Sequence, residues 1–407
     1  MTASGARMPN WQKVAMVMVA GCLISLVGYG VRSSFGLFLS PMTIDQDWSR
    51  ETFALALALQ NLLWGVALPI AGALADRYGP RYVLAGGAAI YALGVWGMAE
   101  AESPSLLHLA GGIAVGTGVA FTAFSLALAA MVRVVSPGRR SLVLGVGTAA
   151  GSLGQVVFSP VAQGFIGAYG WHTALLLLAA ITLVIIPLAC ALSNTVAASQ
   201  GLTTDQTLRQ ALSEARDHRG YILLTAGFFV CGFHVAFVTV HFPAYVQDLG
   251  LAPFVGAIAI SLIGLFNIIG SFASGVFGQR WSKKYGLAGI YSLRALAILL
   301  LLIFPKTELA IYVFASVMGL LWLSTVPLTV GIVEKVFGVR YLATLFGVVF
   351  LSHQIGGFLG VWLGGYLYDR IGSYDAIWWA GVAFGVAAAI VHLPINEKPL
   401  TRRAAMG

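Results

Sequence analysis

Apolar runs of about twenty residues or more, the length that crosses a bilayer as an α-helix, follow one another along nearly the whole chain. Only 9% of the 407 residues are charged (23 Lys and Arg, 15 Asp and Glu), while 59% are hydrophobic. A soluble domain carries roughly 25% charge, so a water-facing surface cannot be tiled from this composition. The apolar content fills on the order of twelve spanning helices. A transmembrane β-barrel is excluded, because its strands alternate apolar and polar residues and these runs do not. The net charge of +8 sits in short loops between runs, which excludes a nucleic-acid-binding surface.

The three cysteines, Cys22, Cys190 and Cys231, all fall inside apolar runs, with no disulfide or metal spacing. The first 13 residues contain no small-residue cleavage site, so the first run is expected to be a retained helix. Breaks of charge, Gly and Pro divide the chain into twelve spans. In the first half these are 14–40, 52–75, 82–101, 106–132, 141–167 and 172–192. In the second they are 220–247, 253–278, 286–305, 309–333, 341–367 and 374–393. Residues 193–219 form the longest polar stretch, and 207–217 has amphipathic helical spacing. The expected organisation is a six-helix bundle over 1–192, a cytoplasmic linker over 193–219, and a second bundle with a short tail over 220–407.

Orientation follows from Lys and Arg in the loops. One side holds Arg7, Lys13, Arg77, Arg81, Arg133, Arg139, Arg140, Arg209, Arg216, Arg219, Arg280, Lys283, Lys284, Lys335, Arg340, Lys398, Arg402 and Arg403, which is 18 of the 23. The other side holds only Arg50, Lys306 and Arg370. Both termini are therefore expected on the cytoplasmic face of an inner (plasma) membrane. An internal repeat appears at an offset of about 202 residues. Leu144-Gly145-Val146 matches Phe346-Gly347-Val348, Gly154 matches Gly356, Gly170 matches Gly372, and Arg133 matches Lys335. The fold class is thus an all-α membrane protein of twelve helices in two six-helix repeats, the architecture of an alternating-access transporter with its site between the halves.

The loop after the second span reads Gly72-Ala-Leu-Ala-Asp76-Arg77-Tyr-Gly79-Pro-Arg81. This is identified as the G-x-L-x-D-R-x-G-x-R signature of the major facilitator superfamily. Asp76, Arg77, Arg81 and Arg133 are the expected gating residues, with Asp76 capping a helix or pairing with an arginine across the seam between the halves. In the second half Gln279 stands where Asp76 would be. Within the superfamily the chain resembles the monocarboxylate transporters and their bacterial relatives. The resemblance covers essentially the whole chain. It rests on Gly28-Tyr29-Gly30-Val31-Arg32-Ser33-Ser34-Phe35-Gly36-Leu37-Phe38, and on Arg133-Val-Val-Ser-Pro-Gly-Arg139-Arg140 with the glycines at 145, 147, 151 and 154. The resemblance also implies an Asp and an Arg one turn apart in the eighth span; Asn267 and Ser271 stand there instead.

A charged side chain at membrane depth costs about 2.5–3.5 kcal/mol on insertion scales, so each needs a reason. None of the 15 Asp and Glu lies mid-span, which leaves the central cavity net positive. Arg32, in the first span, is the leading substrate-binding candidate, since a guanidinium fork matches a carboxylate and stays charged. Gly28 and Gly36 would leave room beside it for a ligand. Its alternative roles are snorkelling and a contact to helix-end carbonyls. Arg294 suits a structural or lipid-facing role better than substrate contact. His234, His241 and His353 are the intramembrane groups that titrate nearest neutrality, and each suits either proton coupling or hydrogen-bonded packing. His353, with its polar neighbours, leads and is also a substrate-binding candidate. Asn267 is a cavity candidate, whereas Gln60, Asn61 and Gln155 suit interhelical hydrogen bonding. Tyr29, Phe121 and Trp322 are cavity-wall or packing aromatics.

No phosphate loop, metalloprotease or nucleophile-elbow motif occurs, so no enzyme, cofactor or metal is expected. The expected function is secondary transport of a small organic anion, a monocarboxylate such as lactate or pyruvate, together with a proton, by a monomer in the bilayer. The alternatives are an anion exchanger without proton coupling and an efflux pump for apolar compounds. Against the pump, the fourth span has no mid-helix arginine and the fifth has no G-x3-G-P-x2-G-G run. A non-transporting sensor of the same fold is a further alternative.

Overall fold

A computed structural model of the protein describes residues 10–136, 140–192, 206–338 and 340–400. Arg7, Arg139, Arg402 and Arg403 of the basic side, and residues 193–205 of the linker, lie outside the described residues. The described residues are helical, with no strand among them. Spanning segments are α1 (Val14–Asp45), α2 (Arg50–Tyr78), α3 (Pro80–Ala99) and α4 (Pro104–Arg133). The segment Leu142–Cys190 breaks at Gly170 into α5 (142–169) and α6 (171–190). The second half contains α7 (Arg219–Asp248), α8 (Pro253–Arg280), α9 (Lys283–Ile303), α10 (Glu308–Phe337), α11 (Leu342–Ile371) and α12 (Asp375–His392). Among the described residues twelve crossings bring the end of α12 to the same side as the start of α1. The linker helix Leu208–Asp217 starts at a capping box in which Thr207 and Gln210 satisfy each other's backbone N–H.

Local chemistry sets the boundaries. Ser49 caps α2 by accepting the Thr52 N–H, and Thr307 does the same for Ala310 at the start of α10. Pro80 and Pro104 open α3 and α4 at positions where no amide donor is needed. Gly79 (φ 90), Gly170 (φ 78) and Gly372 (φ 73) turn the chain between helices in a region that side chains rarely adopt.

The repeat read from the sequence is a repeat of contacts. A Cβ on Gly154 of α5 would strike the Leu26 carbonyl of α1, and one on Gly356 of α11 would strike the Phe229 carbonyl of α7. Small residues thus let the same two pairs of helices meet backbone to backbone in each half. Between the halves α2 packs on α11 and α5 on α8. These seams close toward the end away from the termini, where an added Cβ on Gly365 would lie 2.7 Å from Ala54 and one on Gly264 3.0 Å from Gln155. Nearer the termini the same four helices carry Gly72, Gly145, Gly275 and Gly347, where an added Cβ would meet nothing within 4 Å. The seam is therefore shut at one end and parted at the other.

Candidate functional site

Arg32 lies part-buried where the parted region ends, a little past the middle of α1. Its Nη2 donates to Asn61 Oδ1 of α2 at 2.5 Å, and its guanidinium carbon sits 4.5 Å from the centre of the Trp64 ring. Asn61 is aimed by its own amide, which donates to Leu57 O one turn back (2.8 Å). Asn61 and Trp64 are three residues apart and so share a face of α2. Among the described residues no carboxylate lies within 4 Å of Arg32. Two donors here, Arg32 Nε and Trp64 Nε1, are buried without any hydrogen-bond partner. Unmade hydrogen bonds of buried donors are costly, and a ligand that supplies acceptors would remove that cost.

The second half meets this site through α11. Gln354 Nε2 donates to the Asn61 carbonyl (2.8 Å), which leaves its Oε1 to accept from His353 Nδ1 (2.9 Å). His353 therefore carries its hydrogen on Nδ1, and Nε2 is the lone-pair nitrogen. Phe350 stacks on His353 at 5.6 Å and meets Trp64 edge-on at 5.5 Å. Arg32, Asn61, Trp64, Phe350, Gln354 and His353 thus form one patch built from three helices and both halves.

A second polar cluster closes the far end. Arg50 donates to both oxygens of Asp248 (2.6 and 2.7 Å) and to the Tyr374 hydroxyl (3.0 Å), and it lies 3.7 Å over the Tyr368 ring. The Asp369 carboxylate accepts the N–H groups of Arg50 and Glu51 at 3.0 and 2.7 Å, capping α2 from α11 and matching its positive end. Glu51 accepts from Trp362 Nε1 at 3.0 Å. His241 bonds Tyr374 through Nδ1 (3.0 Å) and the Val361 carbonyl through Nε2 (2.8 Å). Burial beside its partners holds the Tyr374 hydroxyl well above its ordinary range, so it stays a neutral bridge.

The profile described as Major Facilitator Superfamily matches residues 21–361. The chain belongs to the major facilitator superfamily. It is 27% identical to rat (Rattus norvegicus) monocarboxylate transporter 13 over 399 residues, covering 93% of this chain and 88% of that one. Mouse (Mus musculus) monocarboxylate transporter 11 is 26% identical over 409 residues, covering 97% and 90%. The crystal structure of a mutant of the nucleoside transporter NupG superposes with a TM-score of 0.75 at 14% identity, covering 93% of this chain and 99% of that one. That likeness concerns the fold.

The superfamily loop takes a different form from the one expected across the seam. Asp76 pairs with Arg133 at 3.1 Å, which ties α2 to α4 inside one half. Arg77 and Arg81 lie over their neighbours Tyr78 and Tyr82 (5.2 and 5.9 Å). In the second half Gln279 does not replace the acid. Lys335, the counterpart of Arg133, instead pairs with Glu397 of the tail at 3.2 Å. The Glu397 carboxylate also accepts from Ser282 Oγ (2.8 Å) and the Lys284 N–H (2.7 Å). Burial alone would raise the Glu397 carboxyl, but these hydrogen bonds outweigh it and hold the group below its ordinary range.

Of the residues anticipated from sequence, Arg32 and His353 come together at the central patch. Tyr29 lies next to Trp322 across the seam, but Trp322 is fully buried and its carbonyl is taken by Arg294. Arg294 is wholly buried, not lipid-facing. Its Nε donates to Leu321 O at 3.1 Å, so it caps carbonyls freed where α10 breaks. Asn267 is occupied as a bridge, accepting from Leu323 N (3.0 Å) and donating to Ser152 Oγ (2.9 Å). Phe121 packs on Gly87. His234 bonds Gly381 O (2.8 Å) inside the second half, and His241 belongs to the far-end cluster. The room expected at Gly36 is filled by the Thr239–Val240 backbone of α7, and that at Gly28 by Thr122, whose carbonyl an added Cβ would meet at 3.6 Å. Sequence reasoning missed Trp64 and Phe350 at the centre and Arg50, Asp248, Asp369 and Tyr374 at the far end. The usable signal was Arg50, one of three cations on the side poor in positive charge.

Proposed function

We propose that this transporter carries a small organic anion, a monocarboxylate such as lactate or pyruvate, together with a proton, and that Arg32 binds the carboxylate. The observation that carries this reading is the pair of orphaned buried donors, Arg32 Nε and Trp64 Nε1, on a cation paired only with a neutral amide. A carboxylate entering from the parted end would give the guanidinium an ionised acceptor in place of a neutral one, forming a hydrogen-bonded ion pair. The names of the relatives, monocarboxylate transporters 13 and 11, agree with this substrate class.

His353 is the proposed proton carrier. Gln354 and Asn61 join it to Arg32 through hydrogen bonds, a path through which occupancy of one site biases the other. That linkage is what symport requires. The excess of Lys and Arg on the terminal side supports a cytoplasmic location for both termini in an inner membrane, and the parted end then faces the cytoplasm. The reading takes the protein as a monomer.

The test is uptake of labelled lactate and pyruvate into proteoliposomes, with and without a pH gradient. Arg32→Gln should weaken binding by at least about a hundredfold, the size of a lost charge-assisted pair of roughly 3 kcal/mol, without loss of thermal stability. His353→Gln should keep anion exchange but lose accumulation driven by the gradient. Unchanged affinity in the first variant overturns the anion site. Wild-type exchange that ignores the gradient makes the protein an exchanger.

A further inference from the structure

The exposed side of the α9–α12 pair carries a groove of about 550 Å³. Its floor is small, with Ala288, Gly289, Ser292 and Ala295 from α9, and its rims include Leu296 and Ile390. An added Cβ on Gly289 would meet nothing within 4 Å. From Tyr285 to Leu299 the groove follows fifteen residues of helix, a rise of about 21 Å. One leaflet of hydrocarbon is about 15 Å deep, so the groove spans its full depth.

At its terminal-side end the groove gives way to a pocket of about 390 Å³ lined by Lys284, Lys335, Lys398, Ser282 and Glu397. The two adjoin through consecutive residues, Lys284 with Tyr285 and Leu393 with Pro394, and Lys284 Nζ donates to Leu393 O at the boundary (2.9 Å). The single carboxylate, Glu397, is already engaged by Ser282, Lys284 N–H and Lys335. Three ammonium groups against one carboxylate leave the pocket positive at the level of the lipid headgroups.

We infer that this face binds an anionic diacyl phospholipid, with its headgroup in the lysine pocket and one acyl chain in the α9–α12 groove. Charge complementarity selects this occupant. A second copy of the chain could cover the groove but would leave the lysines without an anion. A free phosphate could fill the pocket but would leave the groove empty. The inference uses no residue of the proposed substrate site and stands apart from that reading.

The test uses the full chain purified in detergent, with thermal unfolding and native mass spectrometry as readouts. The probes are dioleoyl phosphatidylglycerol, dioleoyl phosphatidylcholine and glycerol phosphate. Phosphatidylglycerol should raise Tm and persist as a one-to-one adduct, while the other two should do neither. Lys335→Gln combined with Lys398→Gln should weaken the adduct at least about tenfold, since each lysine near an anionic headgroup contributes on the order of 1 kcal/mol. Gly289→Phe, whose ring enters open space, should weaken it with an unchanged circular dichroism spectrum. Equal stabilisation by phosphatidylcholine overturns the inference, as does full stabilisation by glycerol phosphate alone. So does wild-type phosphatidylglycerol binding by both variants, or a dimer that Gly289→Phe dissociates without any lipid adduct.

Discussion

The two ends of the seam use charge in opposite ways. At the far end Arg50 and Asp369 bind residues of the other half, and the Arg50 and Asp248 side chains are only 15% and 28% exposed. At the terminal end Asp76–Arg133 and Lys335–Glu397 each stay within one half, and Asp76 is 69% exposed. Ties that cross the seam lock it, whereas ties that do not cross it brace each bundle and leave the seam free to part. Strength differs in the same sense. A bidentate, stacked and largely shielded arginine keeps much of its Coulomb attraction, while an exposed single contact contributes about 0–1 kcal/mol.

The most damaging way to break this contrast is to open the far end. Arg50→Ala leaves Asp248 shielded and unpaired and strips Tyr374 of its donor. Spin labels at Asp47 and Gly250 should then report longer distances than in the wild-type chain. A thermal double-mutant cycle with Asp248→Ala should give a coupling of about 0.5–3 kcal/mol, the range for contacting residues. Zero coupling and unchanged distances would mean that the Arg50–Asp248 pair does not hold the far end.

A smaller effect is expected at the terminal end. Asp76→Asn removes an exposed pair within one half, so stability should change by less than about 1 kcal/mol. Substrate affinity should hold while the transport rate falls, because Asp76 braces α2 against α4 and does not reach the central patch. A large loss of affinity at an unchanged rate would contradict that role.

The mildest test is acidification. Glu397 has a folded-state pKa below its unfolded value, so its stabilisation is present above the ordinary carboxylate range and fades as pH falls through the folded value. The tail should loosen in that acidic window, read as faster proteolysis after Lys398, and Glu397→Gln should remove the pH dependence while lowering stability at neutral pH. A wild-type tail with the same protection throughout would show that Lys335–Glu397 does not hold it.

Much of the architecture was legible without coordinates. The bilayer demands long apolar helices with satisfied backbones, which makes the spans visible as runs. Duplication leaves equal spacing, and so Gly154 and Gly356, or Gly170 and Gly372, could be matched by counting. Arg32 stood out because an intramembrane charge needs a reason. The functions of the polar neighbours were less legible. Asn267 falls where the family resemblance implies a binding acid, yet its side chain bridges helices through Ser152 and Leu323 and also accepts from Ser271 of its own helix.

By itself, then, the sequence determined the solvent of this protein, the number and repeat of its helices, its turn glycines and the cation at its centre. Each of these depends on local hydrophobicity, periodicity or backbone freedom. Tertiary structure alone decided that Arg50 meets Asp248, 198 residues away, that His241 serves the far end, and that Trp64 and His353 flank one patch. Such pairings depend on which faces of distant helices are brought within about 3 Å of each other. No local pattern in a chain records that distance.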